Sequence, residues 1–452
     1  MKLFGTDGIR GKVNKYPMTP ENVLRVGMAI ASVLKNDHGR RMVLIGKDTR
    51  LSGYMIESAL TSGICSKGMD VTLVGPIPTP GGAYLTRALR LDAGIIISAS
   101  HNPFEDNGIK IFSSEGFKLS DELEQQMERL IADDNFPARR ATGDRIGKAF
   151  RLDDATGRYI EYIKSTIPRG ADLVGLKVVV DTANGAAYKV TPMLLSELGA
   201  QVVAINDKPN GVNINDKCGS LHLDCVAAAV KEEGAHVGIA HDGDADRTLL
   251  VDERGNVVDG DMVLGIWAAE LKKEGRLKGN GVVATVMSNL GLENYLVRQG
   301  VKFLRTKVGD RYVVEEMIKG GYNLGGEQSG HIVSFDYNTT GDGPITALQV
   351  LHLMRKKNAL LSELAAGIEL YPQVLTNVPV AERCDIKKIP EITGAIADAT
   401  EKLGSKGRIL VRSSGTELKI RVMVEAEDAG MAKSVAEQVA EVIQEKLGLS
   451  NS

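Results

Sequence analysis

Short apolar runs rich in β-branched residues alternate along most of this chain with segments that have the apolar spacing of amphipathic helices. Residues 42–46, 93–97 and 177–181 are such runs. This alternation predicts α/β sheets whose strands are covered on both faces. The pattern changes after residue 371, where predicted strands precede one terminal amphipathic helix. We therefore predict a separate α+β unit at the end of the chain.

The alternation and its interruptions predict four domains. Residues 1–155, 156–254 and 255–368 are expected to form three similar α/β mixed-sheet domains, and residues 369–452 a smaller α+β domain. A chain of 452 residues with 43% hydrophobic residues is long enough to bury several cores. The net charge of −3 gives no general basic field, so we expect no nucleic-acid partner.

Cysteine usage and the absence of long apolar runs predict the cellular location of the protein. Cys65, Cys218, Cys225 and Cys384 show no C-x-x-C spacing and are too sparse for a disulfide scaffold. The first residues lack the apolar core of a secretory signal, and no run approaches the roughly 18 residues of a membrane span. We expect a cytoplasmic protein with no membrane partner.

Two polar segments near the start of the chain are candidate ligand loops. Residues 5–11 are glycine-rich and predict either a loop that approaches a ligand closely or a flexible terminal turn. Ser100 and His101 follow the predicted strand 93–97, and Asn102-Pro103 ends regular structure there. Since α/β sheets bind ligands at strand ends, this loop is a candidate site, although an ordinary turn has the same pattern.

Three aspartates alternate in a later loop. Asp242, Asp244 and Asp246 can aim their carboxylates at one point, where they repel each other unless a cation lies among them. Hard oxygen ligands favour Mg²⁺ over Zn²⁺. An EF-hand is excluded because Arg247 occupies its glycine position and the flanking residues predict strands. A solvated acidic turn is the alternative.

A phosphoryl group on Ser100 would complete this site. Three carboxylates leave Mg²⁺ short of its octahedron, and a phosphorylated Ser100 could supply a ligand and act as phosphoryl donor. Lys110 and Arg247 could balance the remaining charge, and a desolvated Lys110 could shuttle the hydroxyl proton. Ordinary surface salt bridges are the alternative for these two cations.

Two further segments have the groups that bind sugar phosphates. Glu327, Ser329 and His331 offer alternating acceptors and donors for sugar hydroxyls, although the pattern alone is weak. Residues 412–416 combine an arginine, three hydroxyls and exposed backbone amides, which suits a phosphate or a serine-rich hairpin. This segment lacks a Walker lysine, so nucleotide hydrolysis is not expected.

Taken together and in this order, the loops at 98–103, 242–247, 326–331 and 412–417 resemble those of the α-D-phosphohexomutase superfamily. The segment 308–313 and Gln328 are most similar to its bacterial branch that acts on glucosamine phosphates. The resemblance implies three α/β domains and a C-terminal domain of the TATA-binding-protein-like kind around one cleft. Ala245 and Leu418-Lys419 depart from the usual pattern of that branch.

The resemblance also implies an activity. Phospho-Ser100 would give its phosphoryl group to glucosamine 6-phosphate, and the bound 1,6-bisphosphate would return its other phosphate to Ser100 and leave glucosamine 1-phosphate for cell-wall precursor synthesis. One Mg²⁺ per chain and a phosphorylated Ser100 would be required, and a homodimer is an expected assembly. A phosphomannomutase/phosphoglucomutase, a non-catalytic sugar-phosphate sensor and a metal-dependent phosphatase are the alternatives.

The residue roles that this resemblance implies fall into three groups. The catalytic residues would be Ser100, His101, Lys110 and Arg247. The metal ligands would be Ser100, Asp242, Asp244 and Asp246. The substrate-binding residues would be Arg10, Lys307, Glu327, Ser329, His331, Arg412, Ser413, Ser414, Gly415 and Thr416.

Overall fold

The computed structural model describes residues 3–5, 7–34, 41–382, 385–413 and 418–448. The chain divides into two compact units. The larger comprises Met1–Met287 and Val301–Ala366, and the smaller comprises Ser288–Gly300 and Gly367–Ser452. Three separate sheets lie in the larger unit and one in the smaller unit. The domain boundaries at residues 155, 254 and 368 stay predictions.

The first sheet has six strands in the order β1-β5-β4-β2-β3-β6. They are β1 (Ile9–Lys12), β2 (Met42–Lys47), β3 (Asp70–Pro76), β4 (Ala93–Ile97), β5 (Asp106–Ser113) and β6 (Ala149–Arg151). Strand β4 is fully buried, parallel to β2 and antiparallel to β5. The prediction of a loop throughout residues 5–11 is wrong at its end, because Ile9 is buried in the core and β1 pairs with β5.

The second and third sheets repeat this construction with fewer strands. The second, ordered β11-β10-β9-β7-β8, contains β7 (Lys177–Asp181), β8 (Gln201–Ile205), β9 (Val237–His241), β10 (Thr248–Asp252) and β11 (Val257–Val258). The third, ordered β13-β12-β14-β15, contains β12 (Gly281–Thr285), β13 (Lys302–Thr306), β14 (Leu324–Gly326) and β15 (Ile332–Ser334). Because β9 and β10 are antiparallel strands on either side of the aspartates, the exclusion of an EF-hand is confirmed.

Helices connect the strands in the order that the sequence predicts. In the described parts of the larger unit they are α1 (Pro20–Val33), α2 (Gly53–Cys65), α3 (Thr79–Ala88), α4 (Asp121–Ala132), α5 (Ala155–Lys164), α6 (Val190–Glu197), α7 (Asp224–Glu233), α8 (Gly260–Lys273), α10 (Asp310–Gly320), α11 (Gly343–Lys357) and α12 (Leu361–Ala365), while α9 (Leu290–Arg298) belongs to the smaller unit. Among the residues searched, none of these helices has the length and apolarity needed to cross a membrane.

The smaller unit is the predicted α+β unit. Its antiparallel sheet, ordered β16-β18-β17, contains β16 (Gln373–Pro379), β17 (Gly407–Ser413) and β18 (Lys419–Ala426). Two further helices, α13 (Pro390–Leu403) and α14 (Ala429–Leu447), cover it. Val422 of β18 and Val439 and Ile443 of α14 are buried in its core, which confirms the apolar face predicted for the terminal helix.

Candidate active site

The loop that holds Ser100 starts at the end of the buried strand β4. Asp48 follows the parallel neighbour β2, so its carboxylate and the side chain of Ser98 meet at the same sheet edge. Ser98 Oγ donates to Asp48 Oδ2 at 2.7 Å and accepts from the Ser100 amide at 2.9 Å. Burial raises the pKa of Asp48, although the charge of Arg50 and the hydrogen bonds from the Arg50 amide and Ser98 lower it.

Ser100 is buried and held in an unusual backbone conformation. Its φ is +52°, in the left-handed region, which costs a non-glycine residue roughly 1–2 kcal/mol. Its hydroxyl donates to Asp242 Oδ2 at 2.5 Å, and Oγ lies 3.3 Å from Nδ1 of His101. The loop therefore aims the hydroxyl at the acidic cluster, as the sequence predicts for a metal-assisted phosphoryl donor.

The buried side chain of Arg50 holds this loop through hydrogen bonds to its backbone carbonyls. Its side chain has no exposure to solvent, and its Nε donates to Asp48 Oδ2 at 2.9 Å. Its Nη2 donates to the carbonyl oxygens of Ser100 and Asn102 at 2.9 and 2.8 Å. The sequence analysis missed Asp48 and Arg50, although a polar segment directly after a predicted strand was a signal for both.

The three aspartates lie in the loop between β9 and β10 and are all buried. One carboxylate oxygen from each lies within 4.8 Å of the others. Burial and the charges of Asp246 and Asp244 raise the pKa of Asp242 to about 8. Asp244 Oδ1 and Asp246 Oδ1 have no hydrogen-bond partner among the described residues. These unsatisfied hard oxygens fit a divalent cation such as Mg²⁺.

Lys110 contacts the same cluster. Its Nζ lies 2.7 Å from Asp244 Oδ2, 2.7 Å from Asp246 Oδ2 and 3.4 Å from Asp7 Oδ2. Burial lowers the pKa of Lys110, but the carboxylates outweigh it and hold the pKa well above its usual value. The ammonium of Lys110 can therefore offset negative charge in this cluster.

Arg247 contacts the acidic cluster, and His101 lies beside the Ser100 hydroxyl. The Arg247 amide donates to Asp242 Oδ1 at 3.2 Å, and its guanidinium Nε lies 4.0 Å from Asp246 Oδ1. Burial, together with the charges of Arg247 and Arg10, lowers the pKa of His101 to about 4. At neutral pH His101 is therefore uncharged and can accept a proton.

A cavity of about 530 Å³ opens beside this cluster within the larger unit. Its polar wall consists of Asp7, Arg10, Asp246, Arg247, Asp310, Glu327 and His331. Glu327 Oε1 accepts from the Gly309 amide at 3.1 Å, and His331 Nδ1 lies 3.7 Å from Asp246 Oδ1. The cavity thus brings together predicted site residues from the three sheets, and its volume suits a sugar phosphate.

One ion-pair bridge near the cavity has no signal in the sequence. The ammonium of Lys118 contacts the carboxylates of both Asp7 and Asp310. Asp7 and Asp310 both line the cavity and come from segments about 300 residues apart. Sequence analysis could not find the bridge, because no local pattern connects its members.

Some predicted substrate-binding residues lie elsewhere. Lys307 is exposed, with Nζ 5.8 Å from the ring centroid of Tyr312, and Ser329 is half-buried with an unpartnered hydroxyl among the described residues. Neither side chain is part of the cavity wall described above. Arg412 and Ser413 end strand β17 of the smaller unit, and burial and Arg421 lower the pKa of Arg412. Ser414, Gly415 and Thr416 lie outside the described residues.

Family models match four successive segments of the chain. They describe phosphoglucomutase/phosphomannomutase alpha/beta/alpha domains I, II and III over residues 1–138, 157–255 and 259–371, and the C-terminal domain over residues 375–442. The chain belongs to the phosphoglucomutase/phosphomannomutase family. The predicted resemblance and fold class are confirmed, and membership of this family makes the protein a mutase, an isomerase.

Relatives within the phosphoglucomutase/phosphomannomutase family match nearly the whole chain. A phosphoglucosamine mutase of Thermodesulfovibrio yellowstonii is 59% identical over 98% of this chain and 99% of its own length. A phosphoglucosamine mutase of Citrifermentans bemidjiense is 57% identical over 99% of this chain and 98% of its own length. The solved structure of a phosphoglucomutase/phosphomannomutase family protein from Burkholderia thailandensis is 26% identical, with a TM-score of 0.82 over 98% of this chain and 97% of that one.

Proposed function

We propose that the protein is a phosphoglucosamine mutase, which interconverts glucosamine 6-phosphate and glucosamine 1-phosphate through a phosphoserine and a bound 1,6-bisphosphate. The observation that carries the proposal is the 2.5 Å hydrogen bond between Ser100 Oγ and Asp242 Oδ2. It supports a phosphoryl group on Ser100 beside a cation site. The names of the relatives that are 59% and 57% identical support glucosamine as the sugar.

The transfer needs a phosphorylated Ser100. In one half-reaction the bond from phosphorus to Ser100 Oγ breaks, a bond from phosphorus to the sugar O1 forms, and the O1 proton passes to Ser100 Oγ. In the other the bond from phosphorus to the sugar O6 breaks, the phosphoryl group returns to Ser100 Oγ, and the Oγ proton passes to O6. His101, which is neutral and has Nδ1 3.3 Å from Ser100 Oγ, accepts the proton of the attacking hydroxyl and delivers it to the departing oxygen in each half-reaction. Lys110 and Arg247 offset the negative charge of the phosphoryl oxygens.

The acidic cluster completes the charge balance. Asp242, Asp244 and Asp246, with an oxygen of phospho-Ser100, would hold one Mg²⁺ per chain, and the ion would supply positive charge to offset the negative charge of the phosphoryl oxygens. The oxygens of Asp244 and Asp246 that have no hydrogen-bond partner among the described residues support this ligand set. Lys110, which contacts the other oxygen of each carboxylate, orients them.

The cavity wall supports the proposed roles in substrate binding. Glu327 and His331 would bind ring hydroxyls and Arg10 a phosphate, since all three line the cavity. Ser329 and Lys307 are proposed as further contacts. Residues 412–416 are proposed to hold the phosphate that is not reacting, because they combine an arginine with hydroxyls and backbone amides. A cytoplasmic location and a homodimer are also proposed.

Comparison of three substrates tests the proposal. The phosphorylated protein should interconvert glucosamine 6-phosphate with a kcat/KM about 100-fold above those for glucose 6-phosphate and mannose 6-phosphate, since a site that binds an amino group rejects analogues lacking it. A higher kcat/KM for mannose or glucose 6-phosphate would instead indicate a phosphomannomutase/phosphoglucomutase. Inorganic phosphate released in proportion to substrate would indicate a phosphatase.

A further inference from the structure

Two carbonyl groups of the Ser100 loop each accept hydrogen bonds from two directions. Arg50 Nη2 donates to the carbonyl oxygens of Ser100 and Asn102 at 2.9 and 2.8 Å. Asn215 Nδ2 donates to the same two oxygens at 2.9 and 3.1 Å. Arg50 follows β2 of the first sheet, whereas Asn215 lies in the segment between β8 and β9 of the second. The loop is therefore fixed from two sheets at once.

Asn215 is itself held firmly. Its backbone amide donates to the carbonyl of Ala183 at 2.9 Å, and its φ is +58°. Asparagine is one of the few residues that tolerate this left-handed conformation, and its amide group supplies two N–H donors. A side chain with both properties is required here, because the backbone conformation and the two carbonyl contacts occur at one residue.

The position of Asn215 connects the Ser100 loop with the acidic cluster. A Cβ built on Gly243, between Asp242 and Asp244, would lie 2.6 Å from the Ser100 carbonyl oxygen and 2.8 Å from Asn215 Nδ2. The two loops therefore meet at the side chain of Asn215. Rotation of the Ser100 peptide would move Oγ relative to Asp242, and its left-handed φ of +52° favours such a rotation unless the carbonyl is held.

We propose that Asn215 is a positioning residue for phosphoryl transfer at Ser100. By holding the carbonyls of Ser100 and Asn102, it keeps Oγ in line with the phosphoryl acceptor in both half-reactions. The inference rests on the proposed function and adds to it a residue outside the four family loops. Because Asn215 touches neither the cavity wall nor a carboxylate of the cluster in the contacts described, its effect acts through the serine loop.

The test is Asn215→Asp, which keeps the shape and the tolerance of a left-handed backbone but replaces the donors with oxygens that repel both carbonyls. A misplacement of about 1 Å lowers transfer about 100-fold, so kcat should fall by about 10- to 100-fold. The KM for glucosamine 6-phosphate should change by less than about threefold, because the cavity is unaltered. Asn215→Gly, which removes the amide without backbone strain, should lower kcat in the same way.

Asn213→Asp in the same segment is the matched control. The Asn213 side chain accepts from the Asn210 amide at 2.9 Å and donates to the Lys208 carbonyl at 3.0 Å, so its hydrogen bonds among the described residues stay within its own segment. The Asn213→Asp variant should retain the kcat of the unaltered protein. Equal kcat values for Asn215→Asp and Asn213→Asp, or a kcat loss accompanied by an equal rise in KM, would overturn the inference. If the unaltered protein shows no interconversion, the proposed function fails instead.

Discussion

The hydroxyl of Ser100 and the carboxylate of Asp242 lie 2.5 Å apart, although 142 residues separate them in the chain. Each residue follows a buried strand, β4 for Ser100 and β9 for Asp242. Since rigid strands of two sheets hold the pair, neither loop needs to fold around a substrate before it can react. A phosphoryl group on Ser100 would enter a site whose ligands are already in position.

Replacement of a proposed metal ligand should weaken cation binding. In Asp244→Asn the side-chain oxygen can still accept from Thr79 Oγ1 and Lys110, as Oδ2 now does at 2.5 and 2.7 Å, while the amide replaces the unpartnered Oδ1. We expect the Mg²⁺ affinity, measured by calorimetry, to fall about tenfold or more. The exposed Asp216→Asn is the control. An unchanged affinity in Asp244→Asn would remove Asp244 from the ligands.

A methyl group at Gly243 should separate the two loops. Because its Cβ would lie 2.6 Å from the Ser100 carbonyl oxygen, Gly243→Ala must displace the serine loop or the acidic loop. We expect kcat to fall about 100-fold. Ala245→Gly, in the same loop and at a φ of +53°, relieves a strained backbone and should keep normal activity. Similar kcat values for the two variants would contradict this account of the loop contact.

The Lys118 bridge should stabilise the protein. In Lys118→Met the carboxylates of Asp7 and Asp310, which are 22% and 15% exposed, lose a shared cation. We expect the free energy of unfolding, measured in urea, to fall by about 1–3 kcal/mol. Lys164 also pairs with two carboxylates, but those of Glu161 and Glu197 are 70% and 42% exposed, so Lys164→Met should cost less than about 1 kcal/mol. An equal loss of unfolding free energy in both variants would show that the Lys118 bridge stabilises the protein no more than an exposed ion pair does.

Asp342 should make stability depend on pH. Burial raises its pKa to about 6, although it accepts hydrogen bonds from the Ile345 amide, Asn338 and Tyr159. Between about pH 4 and about pH 6 the folded state therefore keeps a proton on Asp342 that the unfolded state has released. The free energy of unfolding consequently falls as the pH rises through this range. Asp342→Asn should remove that fall, which amounts to about 3 kcal/mol. Identical pH slopes for the variant and the unaltered protein would refute the raised pKa.

Much of the fold follows from local sequence patterns. The apolar runs predicted strands at 93–97 and 177–181, and the structure has β4 and β7 with those bounds. Strand β1 was not predicted, because Ile9 stands alone among glycines and polar residues and shows no alternation. Its pairing with β5 depends on residues about 100 positions away.

The candidate site was predictable only where its groups cluster in sequence. The spacing of Asp242, Asp244 and Asp246 indicates one convergent site, and the structure brings their carboxylates together. The contacts of Asn215 and Arg50 with the Ser100 loop join segments 50 to 115 residues apart. Such pairings arise from the packing of sheets, and no local pattern of charge or hydrophobicity encodes them.

The most direct measurement follows a phosphoryl group from the protein to the sugar. Protein labelled with radioactive phosphate at Ser100 is mixed with unlabelled glucosamine 6-phosphate, with Ser100→Ala as the control that takes up no label. The account predicts that the label leaves the protein within one turnover and appears in glucosamine bisphosphate and monophosphate. Label that stays on the protein while glucosamine 1-phosphate accumulates would contradict it.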